Sequence, residues 1–218
     1  MDFVVASLLD LLPPAELALI RAFSIRRTYR NGEVIHERGD VAASVGIVVS
    51  GQVRLIHIAP GGQELLINLV NPGQNYGDVL IFGKPVRTHR ALAVGETAID
   101  HIQAEAFNQL MIHPSIVRAF YAVAAQRLSQ VINLLDDMRT LSPEVRLAKL
   151  LMSMVPPGGG KVDCLQEDLA SLLGVSGVTL AKALGVLRGA ELVTTGYRQM
   201  HIPDPDRLRA WIARREAE

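Results

Sequence analysis

The chain changes its hydrophobic rhythm along its length. Between about residues 31 and 110, apolar and polar positions alternate in short stretches, IVVSGQVRLIHIA, ELLINLV and RALAVGETAIDHI. In the first of these, Gln52, Arg54 and His57 stand among Val53, Leu55, Ile56 and Ile58. A period of two predicts half-buried strands, and Gly32, Gly39, Gly51, Gly61, Gly62, Gly73 and Gly77 punctuate them at turn-like intervals. Many short strands at such spacing predict a barrel or jelly roll. Asn71-Pro72-Gly73 predicts a tight turn, because proline presets φ and glycine accepts a positive one.

At Pro114 the period becomes helical and continues to about Leu141, where Ser142-Pro143 interrupts it. Val117, Tyr121, Ala124, Leu128, Val131, Leu135 and Met138 follow at spacings of 4, 3, 4, 3, 4 and 3, which is a heptad seam. Such a stripe either packs on its own domain or pairs with a second copy in a parallel coiled coil. The unusual length of the helix favours the pair. A second helix, Glu144 to about Met154, stops at Val155-Pro156-Pro157-Gly158-Gly159-Gly160.

Residues 161–218 read as a small domain centred on QEDLASLLGVSGVTLAKALGVLRGAELV: a helix, a three-residue turn, and a second helix capped by Ser176. Ala170 and Gly174 are small enough for two helices to cross closely, and Leu169, Leu173, Val175, Leu180, Leu184 and Leu187 supply a shared core. Thr194 to Ile202 then predicts two short strands about a glycine turn, a wing carrying Tyr197 and Arg198. The small positions, the turn and the trailing hairpin together favour DNA binding over a plain helical hairpin.

Composition narrows the classes. The 218 residues are 49% apolar, enough for one large or two small cores. With 22 Lys+Arg against 22 Asp+Glu, any DNA binding must come from local concentration of positive charge. No run approaches the roughly 18 to 20 apolar residues of a membrane span. The start, MDFVVASLLDLLPPAEL, lacks a basic n-region and a cleavage site. A soluble cytoplasmic protein with no membrane partner is expected. The lone Cys164 cannot form an internal disulfide or supply an iron–sulfur cluster or structural zinc. His57, His89, His101 and Met111 are potential haem ligands, but no two stand at an informative spacing, so haem is not expected. No nucleophile–base pair, phosphate loop or metal-ligand cluster points to an enzyme.

The glycine spacing, NYGDVLIF followed by Arg87-Thr88, the heptad helix and LASLLGVSGVTLAKAL, in that order, resemble the cyclic-AMP receptor protein and fumarate-nitrate regulator (Crp/Fnr) superfamily of bacterial transcription regulators. The resemblance covers nearly the whole chain. It implies an α+β protein with a cyclic-nucleotide-binding-like β-roll (a double-stranded β-helix or jelly roll, 1–113), a central dimerisation helix (114–141) and a winged helix-turn-helix (142–218). It also implies a homodimer on pseudo-palindromic double-stranded DNA, RNA polymerase as a partner, and a small effector in the roll.

In nucleotide-binding relatives a short helix after a Gly-Glu-Leu-like segment and an Arg-Ser or Arg-Thr hold the cyclic phosphate and ribose. The matching positions are Gly77, Asp78, Val79, Arg87 and Thr88, with Arg127 matching a family arginine on the long helix. Backbone N–H groups and a guanidinium both suit phosphate. Yet Asp78 is shorter than the usual Glu, Thr88 precedes His89-Arg90, and the positions matched to adenine-contacting hydroxyls are Val131 and Ile132. These departures disfavour cyclic AMP. The alternative is an Arg87–Asp78 ion pair in a pocket that takes another effector or none; no cofactor is identified. In the recognition helix, Gly177 and Val178 stand where relatives read bases with Arg and Glu. Lys182 is then the candidate for guanine, with Gln166, Ser176 and Thr179 on phosphates and Arg188 and Arg198 adding charge. The rival reading is a ligand- or partner-binding module with degenerate DNA readout.

Overall fold

Strands dominate the first half of the chain, as its period-two pattern requires. The computed structural model describes residues 7–78, 86–155, 159–196 and 198–217. Its first strands are β1 (Ser24–Tyr29), β2 (Val34–His36), β3 (Ser44–Ile58), β4 (Glu64–Val70), β5 (Asn75–Tyr76) and β6 (Arg90–Gln103). Among the described residues they form one antiparallel sheet in the order β1-β6-β3-β4, with β2 also on β6 and β5 on β3. β1 begins earlier than the predicted β-rich span. In SIRRTY only Tyr29 is buried, so no alternation marks this strand in the sequence.

The long strands β3 and β6 give the sheet its curvature. Their register, which starts at Ser44↔Gln103, shifts between Val48 and Ser50 and again between Ser50 and Gln52. Such bulges bend a strand and raise its twist. Gly51 sits there with φ +72°, and a Cβ on it would meet Thr97 Oγ1 at 2.4 Å. The single hydroxyl proton of buried Thr97 is shared between the carbonyls of Gln52 at 3.1 Å and Val94 at 3.0 Å, which tethers the two strands beside the bulge. At the other end, Gln74 N–H donates to Asn71 O at 3.0 Å, closing the predicted Asn71-Pro72-Gly73 turn.

Alternation along β3 divides the apolar residues between two cores. Val48 and Val53 join Tyr29, Val70, Tyr76, Ala91, Ala93 and Ile99 on one face. Val45 and Ile47 face the helices on the other. There they pack with Ile20 of α1 (Pro14–Ala22), Phe107 and Leu110 of α2 (Ala104–Leu110), and Ile116, Ala119, Phe120 and Val123 of α3 (Pro114–Thr140). Phe107 and Phe120 meet edge to face at 5.1 Å. The residues of α3 up to Val123 thus belong to the roll's core, and the first unit closes at Arg127, within the helix.

The second unit begins at Leu128. It contains α4 (Pro143–Met154), β7 (Gly160–Asp163), α5 (Gln166–Leu173), α6 (Gly177–Gly189), β8 (Thr194–Gly196), β9 (Gln199–Ile202) and α7 (Pro205–Glu216). The sheet order β7-β9-β8 adds a strand to the predicted hairpin. β7 is short and reads from sequence as the tail of a Pro/Gly loop, of which residues 156–158 lie outside the described set, as does Tyr197 of the wing. The leucines expected as core are buried together with Val145, Leu147, Leu151, Val193, Met200, Leu208 and Trp211.

Lys149 on α4 is buried within this unit. Its ammonium donates to Asp137 at 2.8 Å and Glu216 at 2.9 Å, and so ties the end of α3 to the end of α7. Burial works against its charge, but the two carboxylates outweigh burial and raise its pKa. Removing one partner of a buried pair leaves an uncompensated charge. Lys149→Ala is therefore expected to lower stability by about 3 kcal/mol, read as a fall in the urea midpoint of the full chain. An unchanged midpoint would mean that water already screens these carboxylates.

Candidate functional site

The residues matched to a nucleotide site separate into two groups. Asp78 is buried, and its carboxylate accepts from Arg127 at 3.3 Å rather than from Arg87. Arg127 also donates to Asn75, to its backbone carbonyl and, at 3.1 Å, to its side-chain oxygen. The expected Arg87–Asp78 ion pair is thus corrected: α3 delivers a different arginine to Asp78. Arg87 instead donates through Nη2 to the Ser44 carbonyl at 2.7 Å. Its Nη1 lies so close to Gly77 that a Cβ there would come within 2.2 Å, and Gly77 has φ +81°. Thr88 is exposed and shares a 2.9 Å hydrogen bond with His89 Nδ1. Val79 lies outside the described residues.

Arg87 lines a cleft of about 250 Å³ together with Arg27, Tyr29, His36, Asp40, Ser44 and His101. The sequence reading missed this cleft, since His36 carries no motif and His101 stood out only as a potential haem ligand. His101 lies between two hydroxyls, Tyr29 Oη at 2.9 Å from Nε2 and Ser44 Oγ at 3.4 Å from Nδ1. His36 stacks on Tyr76, with ring centroids 5.9 Å apart. Burial, with help from nearby arginines, pushes both histidines down to about 4. Burial also lowers the pKa of Arg87. The His36 ring also hydrogen-bonds the His89 backbone, and the rings of His57 and His89 stand edge to face with centroids 6.5 Å apart.

In the second unit, α5 and α6 meet at 103°, within the range of a helix-turn-helix. Gly174, at φ +63°, ends α5. The N–H groups of Gly174 and Val175 donate back to Ser171 at 3.1 Å and Ala170 at 3.0 Å, a Schellman closure. Ser176 caps α6 by accepting from Thr179 N–H at 3.2 Å, and the two hydroxyls lie 3.0 Å apart. These hydroxyls are partly committed to the cap. Gln166, Gly177, Val178, Lys182, Arg188 and Arg198 are exposed. A feature the sequence reading missed is the bare face of α6: Gly177, Ala181, Gly185 and Gly189 recur every fourth residue and all are exposed. No single described helix is long and apolar enough to cross a membrane.

Residues 26–113 match the cyclic nucleotide-binding domain family and residues 145–211 the Crp-like helix-turn-helix domain family. The chain is 29% identical to a cyclic AMP receptor protein of Thermus thermophilus over 187 residues, 85% of this chain and 87% of that one. Among solved structures, a Crp/Fnr-family transcriptional regulator of Thermus thermophilus superposes with a TM-score of 0.73 at 21% identity, covering 88% of this chain and 100% of that one. A c-di-GMP-responsive global regulator of Xanthomonas campestris gives 0.71 at 20% identity over the same shares. At such identities these two structures establish the fold.

The two depressed histidines set a pH dependence. Unfolded, each binds a proton near pH 6.5; folded, only near 4. Between those values the unfolded chain holds more protons, so stability is full above about 6.5 and is lost as pH falls toward 4. Each histidine carries on the order of 3 kcal/mol of this dependence. Urea midpoints measured from pH 7 to 4 are expected to fall, and the double variant His36→Gln, His101→Gln to show a flatter slope. Equal slopes would place the acid-sensitive groups elsewhere.

Proposed function

The chain belongs to the Crp/Fnr superfamily of transcription regulators, and we propose that it works as a homodimer on a pseudo-palindromic DNA site under the control of a small effector in the β-roll. The three functional parts are 1–113 for the effector, 114–141 for dimerisation and 142–218 for DNA. The observation that carries the reading is the uncovered seam of α3. Leu128 is 62% exposed, Val131 53%, Leu135 50% and Met138 49%, at heptad spacing on one helix. Val117 and Tyr121 continue the stripe, also exposed, with Ala124 between. A second copy of the same seam supplies the matching knobs and holes.

Each recognition helix then enters a major groove, with half-sites about one helical turn apart. Lys182 is the long cationic side chain near the start of α6 and is assigned to guanine, while Gln166, Ser176 and Thr179 set position on phosphates and Arg198 contacts the backbone from the wing. The bare face of Gly177, Ala181 and Gly185 lets the α6 backbone come close to the groove. The effector is not cyclic AMP in this reading, because Val131 and Ile132 replace the polar partners of a purine. RNA polymerase is the partner through which a bound dimer would act. A second reading, a partner-binding module without sequence readout, draws on Val178, which is 69% exposed at the helix start.

Replacing Leu128 and Leu135 by Glu should yield monomers in sedimentation velocity, since each charge would be stranded in the interface. An unchanged dimer would put the contact elsewhere. On a site selected from a random duplex pool, Lys182→Ala is expected to cost about 1 to 3 kcal/mol and to relax one base pair per half-site, whereas Thr179→Ala weakens all sequences alike. Comparison of selected and scrambled duplexes at fixed salt separates the two. Equal loss on both for Lys182→Ala makes Lys182 a phosphate contact. Absence of any sequence preference favours the partner-binding module.

A further inference from the structure

Arg87 is only 6% exposed; the Asp40 carboxylate in the same cleft acts on its charge from a distance, but none of the described carboxylates is within ion-pair distance of it. Nη2 has a single neutral acceptor, the Ser44 carbonyl, and Nη1 has no partner among the described residues. A buried cation without a counter-ion is costly, and proteins normally neutralise or pair such groups. Here the cation instead borders open space. The cleft beside it also presents Tyr29, Ser44, His36 and His101; in the Tyr29–His101–Ser44 chain the neutral imidazole has one N–H, so three protons serve two internal hydrogen bonds and one hydroxyl keeps a proton for a guest. Of the described residues matched to a nucleotide site, Arg87 lines this cleft, and Gly77, Asp78, Thr88 and Arg127 do not.

We propose that the cleft receives a small monocarboxylate, gripped by Arg87 and flanked by Tyr29, Ser44, His36 and His101. This rests on the reading that the roll carries an effector and names the class of that effector. Charge sets the valence. Among the described lining residues Arg27 and Arg87 stand against Asp40, with the histidines neutral, which leaves one net positive charge to balance. A dianionic phosphate would exceed it. Size points the same way, since about 250 Å³ falls below the roughly 300–1,000 Å³ of sites for larger ligands. Geometry agrees as well. A carboxylate offers two parallel acceptors to a guanidinium, where the Ser44 carbonyl offers one.

The probe is acetate, and the readout is thermal unfolding of the full chain at constant ionic strength. Sodium acetate replacing chloride is expected to raise the melting temperature of the wild type by about 2–4 °C. Acetamide, inorganic phosphate and cyclic AMP should not. Arg87→Met, which removes an unpaired buried cation and is expected to fold at least as well as the wild type, should respond to acetate no more than to chloride. The acetate-against-acetamide comparison needs no variant. An equal response to acetate and acetamide, an equal shift in Arg87→Met, or a larger shift with phosphate overturns the proposal. DNA affinity measured with and without acetate tests the underlying reading separately. An Arg87-dependent thermal shift with no change in DNA affinity would sustain the carboxylate site and contradict control by the roll.

Discussion

An apolar stripe along a helix needs a cover, and the two halves of α3 meet that need differently. Ile116, Ala119, Phe120 and Val123 are covered by the roll of their own chain. Leu128, Val131, Leu135 and Met138 are left open to water. Fully burying such a side chain from water is worth about 1.5–3 kcal/mol; at about half exposed, each of these still has roughly half of that to gain, so the uncovered seam drives association. Supplying the cover with a second copy makes one helix both the wall of the effector domain and the contact between subunits. Whatever shifts α3 at the roll would then be felt at the dimer seam.

The polar contacts beneath α3 offer a physical route for such a shift. Arg87 fills the space that a side chain on Gly77 would take, the next residue Asp78 is bound by Arg127, and Arg127 is part of α3. A ligand that drew the Arg87 guanidinium into the cleft would free the space beside Gly77 and so change the surroundings of Asp78 beneath the helix. Coupling of this kind requires two discrete arrangements of α3 that the ligand binds unequally. The cleft, the Gly77-Asp78 corner and Arg127 are the elements that would differ between them.

Features set by neighbours in sequence were readable from the chain alone. The heptad seam, the Asn71-Pro72-Gly73 turn and the Ser176 cap each follow from local spacing, whereas Gly174, read as small for a close helix crossing, has nothing within 4 Å of where a Cβ would stand and is placed instead by its φ of +63°. The family resemblance likewise carried the architecture. What escaped depends on side chains brought together by folding. Asp78 and Arg127 are 49 residues apart, and nothing local distinguishes Arg127 from Arg87 as the partner. Tyr29 and His101, 72 residues apart, meet only because β1 lies on β6. β1 and β7 were missed because each buries too few side chains for alternation to mark it. In the recognition helix the replacement of long polar residues by Gly177 and Val178 was plain, whereas the exposure of the Gly177, Ala181, Gly185 and Gly189 face required the packed structure.

The most direct test of the central claim is whether the seam of one chain faces the same seam of another. In a parallel coiled coil each core residue lies opposite its own counterpart, close enough for a disulfide. In a Cys164→Ser background, Leu135→Cys should form a covalent dimer rapidly under mild oxidation and retain DNA binding, while Arg139→Cys, outside the seam, should not. Equal crosslinking at both positions, or none at Leu135→Cys in a protein that still sediments as a dimer, would contradict the account.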